Sequence, residues 1–164
     1  MLCPISIKDF DFITELLSEN NIIQELFLCS NFSKKKYNVR NIVSSLISAT
    51  DYFSFFLYII TDEHKQQRQG IICATIKGNM AEIGCVLSQK LRGKGIGYFS
   101  NQLIFQRVSS SCPNVTTFLA ETANDNSSAI KTLLSLGFQQ DFLINGSHAS
   151  KSNRLYFRKF ISSN

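Results

Sequence analysis

Residues 82–97 read EIGCVLSQKLRGKGIG, a strand-like run that passes through a short turn into a glycine-rich helix start. The first N–H groups of a helix have no partner within the helix, and the helix dipole adds positive potential there. Glycines let a phosphate approach the backbone closely, and Arg92 and Lys94 add positive charge. This segment therefore predicts a phosphate or pyrophosphate site.

Two common nucleotide-binding motifs do not fit this segment. A P-loop needs G-x-x-x-x-G-K-[ST], but Ser88 stands at the first position and Gly95 follows Lys94. A dinucleotide fingerprint would need glycine at Tyr98 and a preceding βαβ unit, whereas a hairpin pattern precedes the segment. Glycine spacing alone leaves one alternative, a tight strand-to-helix turn with solvated basic residues.

The flanking sequence predicts a mixed sheet covered by helices. Apolar spacing indicates helices over the first 47 residues, and then strands at 52–61, 70–77 and 80–88, with Gly78-Asn79 as a hairpin turn. Beyond the glycine segment we expect a helix at 96–108, a strand at 115–122 and a helix at 129–134 that ends at Gly137. Two further strands are expected at 139–144 and 154–161, with Phe138 and Phe142 in the core.

Length and composition indicate one globular domain spanning residues 1–164. At 44% hydrophobic and 18% charged residues, a core can form and a disordered or fibrous chain is excluded. The net charge of +5 suits an anionic partner without selecting one. Five cysteines without C-x-x-C spacing and only two histidines give no support to a disulfide scaffold or a metal site.

Localisation and macromolecular partners are predicted from what the sequence lacks. The first 11 residues contain two aspartates and no apolar run, and the apolar stretch 52–60 is too short to span a bilayer. We therefore expect a cytoplasmic protein without a membrane partner. No motif interleaves aromatic and basic residues, so nucleic-acid binding is not expected either.

Two motifs resemble those of the GNAT superfamily of acyl-CoA N-acyltransferases. Arg92-x-x-Gly95-x-Gly97 is similar to the family signature R/Q-x-x-G-x-G/A, and NSSAIKTLLSLGF, from Asn126 to Phe138, is similar to N-x-x-[AS]-x(7)-G-F. The motifs stand in the family's order, and the resemblance extends over nearly the whole chain. It implies the α/β GNAT fold: a mixed, mostly antiparallel sheet of six to seven strands with about four helices, splayed between the strands ending near Ser88 and Thr122.

The same resemblance implies an acetyl-CoA site. The pantetheine arm would lie between the splayed strands, and a backbone N–H near Val86 or Leu87 would polarise the thioester carbonyl. Asn126 would hydrogen-bond the pantetheine or organise this edge, and a helix N-cap is a compatible role. The pyrophosphate would rest on a loop made of Arg92, Gly93, Lys94, Gly95, Ile96 and Gly97.

The resemblance also implies two candidate general bases, Glu121 at the end of the strand before Asn126 and Glu82 at the start of the strand before the glycine loop, where family members carry a base. A base is needed because the attacking amine must be neutral. The alternative for each is a strand-end carboxylate that faces solvent. Many family members place a tyrosine seven residues after the motif asparagine as general acid, but this chain has Leu133 there. The general acid is therefore unassigned. Cys85 and Cys112 are interpreted as structural, because no histidine lies nearby in sequence to activate them.

These observations predict an N-acetyltransferase that moves an acetyl group from acetyl-CoA to a primary amine. The acceptor would be a protein N-terminus or a small-molecule amine that attacks the thioester directly. A homodimer is one possible assembly. The alternative, favoured by Leu133, is a non-catalytic domain that binds or senses acyl-CoA.

Overall fold

A computed structural model describes residues 1–18, 41, 43, 44, 47, 54–142 and 154–161. Within these residues, seven strands form one sheet in the order β1-β2-β3-β4-β5-β7-β6. Only β4 and β5 pair in parallel, so the sheet is mixed and mostly antiparallel, as predicted. The strands are β1 (Leu2–Pro4), β2 (Phe55–Thr61), β3 (Arg68–Lys77), β4 (Met80–Leu87), β5 (Thr117–Ala123), β6 (Gln139–Gln140) and β7 (Arg154–Phe160).

Three helices have bounds within the described residues: α1 (Phe10–Ser18), α2 (Ile96–Ser111) and α3 (Ser127–Ser135). Val43 and Ser44, which belong to another predicted helix, are helical as well. Helix α2 is the crossover that a parallel β4–β5 pair requires, and a short 3₁₀ turn, Gln89–Leu91, precedes it. None of the described helices combines the length and apolar character that crossing a membrane would take.

The sheet buries side chains on both faces, because successive strand residues point to opposite sides. On the side that we call the helix face, Phe118 and Phe157 pack with residues of α2 and α3. On the α1 face, Ile59 and Ile71 pack with α1 and Val43. Phe118 and Ala120 of β5 belong to the helix face, so Glu121 points to the α1 face.

Helix α3 ends as the sequence predicts. Gly137 has φ +83°, a left-handed conformation that glycine adopts without strain. The Phe138 N–H then donates to the Leu133 carbonyl at 3.1 Å, and the Phe138 side chain lies buried beneath the helix. This C-terminal motif turns the chain back toward the sheet.

The structure differs from the sequence-based expectations at both ends of the sheet. Strand β1 pairs with β2 but was not predicted, because three residues are too few to show a periodic pattern. Strand β6 covers only Gln139–Gln140. Phe142 is 72% exposed, so the prediction that Phe142 lies in the core was wrong. Residues 143 and 144 of the predicted strand, and the predicted helical residues 22–27, lie outside the described residues.

Candidate functional site

The sheet opens between β4 and β5. The two strands pair only where residues 80–83 lie beside residues 117–120. Strand β4 nevertheless stays paired with β3 as far as Leu87, and β5 stays paired with β7 as far as Ala123. The predicted splay is therefore confirmed, and it forms a gap that begins beyond Ile83 and Ala120.

Backbone groups of β4 face this gap. The Ser88 N–H donates to the Gln69 carbonyl at 2.9 Å, which places the Ser88 peptide on the β3 side. Peptide groups alternate along a strand, so Val86 also faces β3, whereas Leu87 faces the gap. Consistently, Arg92 Nε donates to the Leu87 carbonyl at 3.2 Å. Of the two amides expected near the thioester, the Leu87 amide is thus the one on the open side.

The glycine loop connects the gap to α2. Gly93 has φ +76° and Gly95 has φ +77°, a region that other residues enter only with strain. No heavy atom lies within 4 Å of where a Cβ on Gly93 would stand, so this glycine is required by conformation rather than by crowding. The two turns carry the chain sharply from the end of β4 into the first turn of α2.

The loop offers a series of hydrogen-bond donors. Within the described part of the chain, the N–H groups of residues 93–98 donate to no acceptor, and the first bond back to the loop runs from Phe99 N to the Gly95 carbonyl at 3.2 Å. Lys90, Arg92 and Lys94 are all exposed beside these amides. The loop therefore has the donors and the positive charge that a pyrophosphate needs.

Asn126 lies at the start of α3, just after the splayed end of β5. Its Oδ1 accepts a hydrogen bond from the Ala129 N–H at 3.2 Å, so the side chain caps the helix. Its Nδ2 group donates to none of the described residues. The capping role is thus present, and it leaves the amide hydrogens for a ligand at this edge.

The two candidate bases lie on the α1 face in different settings. Glu121 follows the last β4–β5 pair directly, and its carboxylate forms an ion pair with Arg154. The two side chains are 7% and 10% exposed, so Glu121 does not face solvent. Glu82 lies within the paired segment, is more exposed, and forms an ion pair with Lys77 at 3.1 Å. Proximity to the gap therefore favours Glu121.

Sequence reasoning missed Arg154 and Tyr156. Tyr156 is the β7 partner of Glu121 in the register, and Arg154 stands two residues earlier on the same face of that strand. The pairing register of the last strand carried no signal in the sequence, so neither residue could be connected with Glu121. In α3, Leu133 is buried in the core of the helix face, so this position supplies no acid.

Two cysteines lie in the central strands, Cys73 in β3 and Cys85 in β4. Burial raises the pKa of Cys73 and of Cys85 to about 12, which leaves both as neutral thiols at physiological pH. Cys85 packs against the core of the helix face, in agreement with a structural role. Among the described residues, no three His, Cys, Asp or Glu side chains lie close enough together to hold a metal ion.

The sequence matches no protein-family model and no curated protein. The fold, in contrast, is shared with solved acetyltransferases. An acetyltransferase of the GNAT family from Bacillus anthracis is similar with a TM-score of 0.70 at 14% identity, over 97% of this chain and 93% of that one.

Two further solved structures are similar at the same level. The spermidine N-acetyltransferase of Vibrio cholerae, in complex with CoA and spermine, gives a TM-score of 0.69 at 16% identity, over 98% of this chain and 94% of that one. The ribosomal-protein-S5-alanine acetyltransferase of Vibrio fischeri gives 0.69 at 13% identity, over 97% and 91%. The chain therefore has the GNAT fold.

Proposed function

We propose that this protein is an N-acetyltransferase that transfers an acetyl group from acetyl-CoA to a primary amine. One observation carries the proposal: β4 and β5 separate next to a loop of unpaired amides. A pyrophosphate matches the loop, and the amide groups of a pantetheine arm match the unpaired backbone of the gap. The similar structures include enzymes that acetylate a polyamine and a ribosomal protein, which supports amines as the acceptor class.

The backbone of β4 would assist the chemistry at the thioester. Attack of a neutral amine on the carbonyl carbon places negative charge on the carbonyl oxygen. The Leu87 N–H, on the open side of β4, would stabilise that charge. Collapse of the intermediate breaks the C–S bond and forms the amide, so the CoA sulfur leaves as a thiolate that must take up a proton.

Glu121 is the proposed acceptor of the proton that the amine loses. It is the first β5 residue beyond the last pair, so it lies beside the mouth of the gap. The Arg154 guanidinium, paired with the carboxylate, holds it in place. Glu121 would then act through a water molecule or directly on the amine.

Thiol release from acetyl-CoA, followed with a panel of peptides and small amines, tests the proposal. We expect turnover with at least one acceptor, and a rate loss of about 10²-fold or more for Glu121→Gln. Glu82→Gln serves as the matched control and should change the rate far less. If Glu82→Gln lowered the rate more than Glu121→Gln, the base would instead be Glu82, in the paired segment.

A non-catalytic acyl-CoA-binding domain is the second candidate, and Leu133 favours it, since α3 provides no hydroxyl for the leaving thiolate. Calorimetric titration with acetyl-CoA separates the two candidates. Binding with no acetylated product from any acceptor, checked by mass spectrometry, would support the binding domain. Absence of binding would overturn both.

A further inference from the structure

An aromatic ring stands exposed beside the glycine loop. Phe99 lies in the first turn of α2 and is 64% exposed. The apolar spacing of the sequence suggests that Phe99 belongs to the buried side of this helix, but the buried side is formed by Ser100, Ile104 and Val108. Phe99 and, one turn later, Leu103 face outward instead. An exposed aromatic ring next to a donor-rich loop offers a surface to a ligand that carries both a ring and a phosphate.

The ring is held close to the loop by its neighbours. A Cβ on Gly95 would lie 3.7 Å from the Phe99 ring, an ordinary contact distance, so the ring stands directly beside the loop. The half-buried Tyr98 ring meets the Phe99 ring edge to face, with centroids 5.6 Å apart and an interplanar angle of 89°. The aromatic surface is therefore oriented before any ligand arrives.

Two glycines of the loop mark two different directions. A Cβ on Gly97 would approach the Leu87 side chain at 3.7 Å, and Leu87 is the β4 residue whose backbone faces the gap. A Cβ on Gly95 would instead approach Phe99. The loop therefore neighbours Leu87, and with it the gap, at Gly97, and the exposed ring at Gly95.

The coenzyme has matching groups on its two sides. Its pyrophosphate connects the pantetheine arm to a 3′-phosphorylated adenosine. If the arm enters the gap, the adenosine must leave the loop in the other direction, where Phe99 and the exposed Lys94 lie. An aromatic face and a cation are what a purine base and a phosphate bind.

We propose that Phe99 is a stacking platform for the adenine base of the coenzyme, beside the pyrophosphate loop. The inference rests on the proposed function, because it takes the ligand to be a CoA thioester. It adds a subsite that selects the nucleotide end of the coenzyme, separate from the groups that act on the thioester. Contact with another protein through Phe99 is the competing use of the ring.

Binding of CoA and of 4′-phosphopantetheine, which lacks the adenosine, tests the subsite by calorimetry. We expect Phe99→Ala to weaken CoA binding about 5- to 100-fold while leaving 4′-phosphopantetheine unchanged. Leu103→Ala, the next outward-facing residue of the same helix, is the matched control and should bind both ligands as the unsubstituted protein does. Equal loss of both ligands, or no loss of CoA, would overturn the subsite.

A fluorescence experiment gives a second readout. The chain contains no tryptophan, so Phe99→Trp introduces a single indole. Stacking of the adenine should quench its emission on addition of CoA or 3′,5′-ADP, but not on addition of 4′-phosphopantetheine. If CoA binds this variant without quenching, the platform is wrong while the proposed function stands; if CoA does not bind the unsubstituted protein, the proposed function itself fails.

Discussion

The Glu121–Arg154 pair is the residue-scale feature that most constrains the chemistry. Both side chains are largely withdrawn from solvent, and the pair lies on β5 and β7 at the edge of the gap. Taking charges out of water is costly, and the attraction between the two charges offsets that cost only where their geometry is good. We interpret Arg154 as a positioning residue that fixes the orientation of the Glu121 carboxylate.

Loss of one partner should therefore be more damaging than loss of both. Arg154→Met leaves the buried Glu121 carboxylate without its guanidinium and should lower the free energy of unfolding by about 3–5 kcal/mol. The double substitution Glu121→Gln with Arg154→Met should recover most of that loss. Urea unfolding at neutral pH measures both, and additive losses would show that the pair is not energetically coupled.

Asp9 gives a second residue-scale prediction, this time for pH. Burial acts to raise the pKa of Asp9, but hydrogen bonds from Arg68 and Ser6 outweigh it and hold the pKa below its ordinary value. A depressed folded-state pKa stabilises the fold above the ordinary pKa, and this contribution is lost as the pH falls through the folded-state value.

Asp9→Asn should consequently destabilise the protein by about 1–3 kcal/mol at pH 7, because charged hydrogen bonds to Arg68 and Ser6 are lost. In acid, as the pH falls below the ordinary carboxyl pKa and through the folded-state value, the difference should shrink, because the native carboxyl group becomes protonated as well. Denaturant unfolding at neutral and at acidic pH provides the comparison. A penalty independent of pH would assign Asp9 a packing role only.

At the scale of elements, strand β4 has two unlike edges along residues 84–87. One edge is hydrogen-bonded to β3, and the other faces the gap. Because peptide groups alternate, the N–H groups of two neighbouring residues point to opposite edges. Loss of one N–H weakens the pairing with β3, and loss of the next removes a donor from the gap. Proline, which lacks the N–H, can separate the edges experimentally.

Val86→Pro removes an N–H on the β3 side and should lower the free energy of unfolding by about 1–3 kcal/mol, because its β3 acceptor is left unsatisfied. Leu87→Pro removes the N–H on the gap side, so it should cost less stability but lower the acetylation rate by about 10²- to 10³-fold. Leu87→Ala controls for the lost side chain, and thermal unfolding combined with thiol release gives both quantities. Equal destabilisation by the two prolines would contradict the assigned edges.

Much of this element layout could be predicted from the sequence. Gly78-Asn79 predicted the β3–β4 hairpin, and Gly137 predicted the end of α3. The glycine loop predicted the start of α2. The outward side of α2 was missed because Phe99 and Leu103 satisfy the apolar spacing as well as the buried residues do. The pairing of β5 with β7 could not be predicted either, because its register depends on contacts between residues distant in sequence.

At the scale of the whole molecule, the proposed ligand should add stability, because it binds only the folded state. Acetyl-CoA at about 100 times its dissociation constant contributes about 2.7 kcal/mol. For a chain of this size the midpoint of thermal unfolding should rise by roughly 5–10 °C. Differential scanning calorimetry tests this, and 4′-phosphopantetheine should give a smaller rise if Phe99 binds the base.

The short contact between β4 and β5 also affects how the molecule can move. The sheet is divided into a four-stranded half and a three-stranded half, which share only the rungs between residues 80–83 and 117–120 within the sheet. At this contact the two halves of the sheet can open and close relative to each other. A coenzyme lying between β4 and β5 would bridge the two halves. The molecule that supplies the acetyl group would therefore also make the protein more rigid.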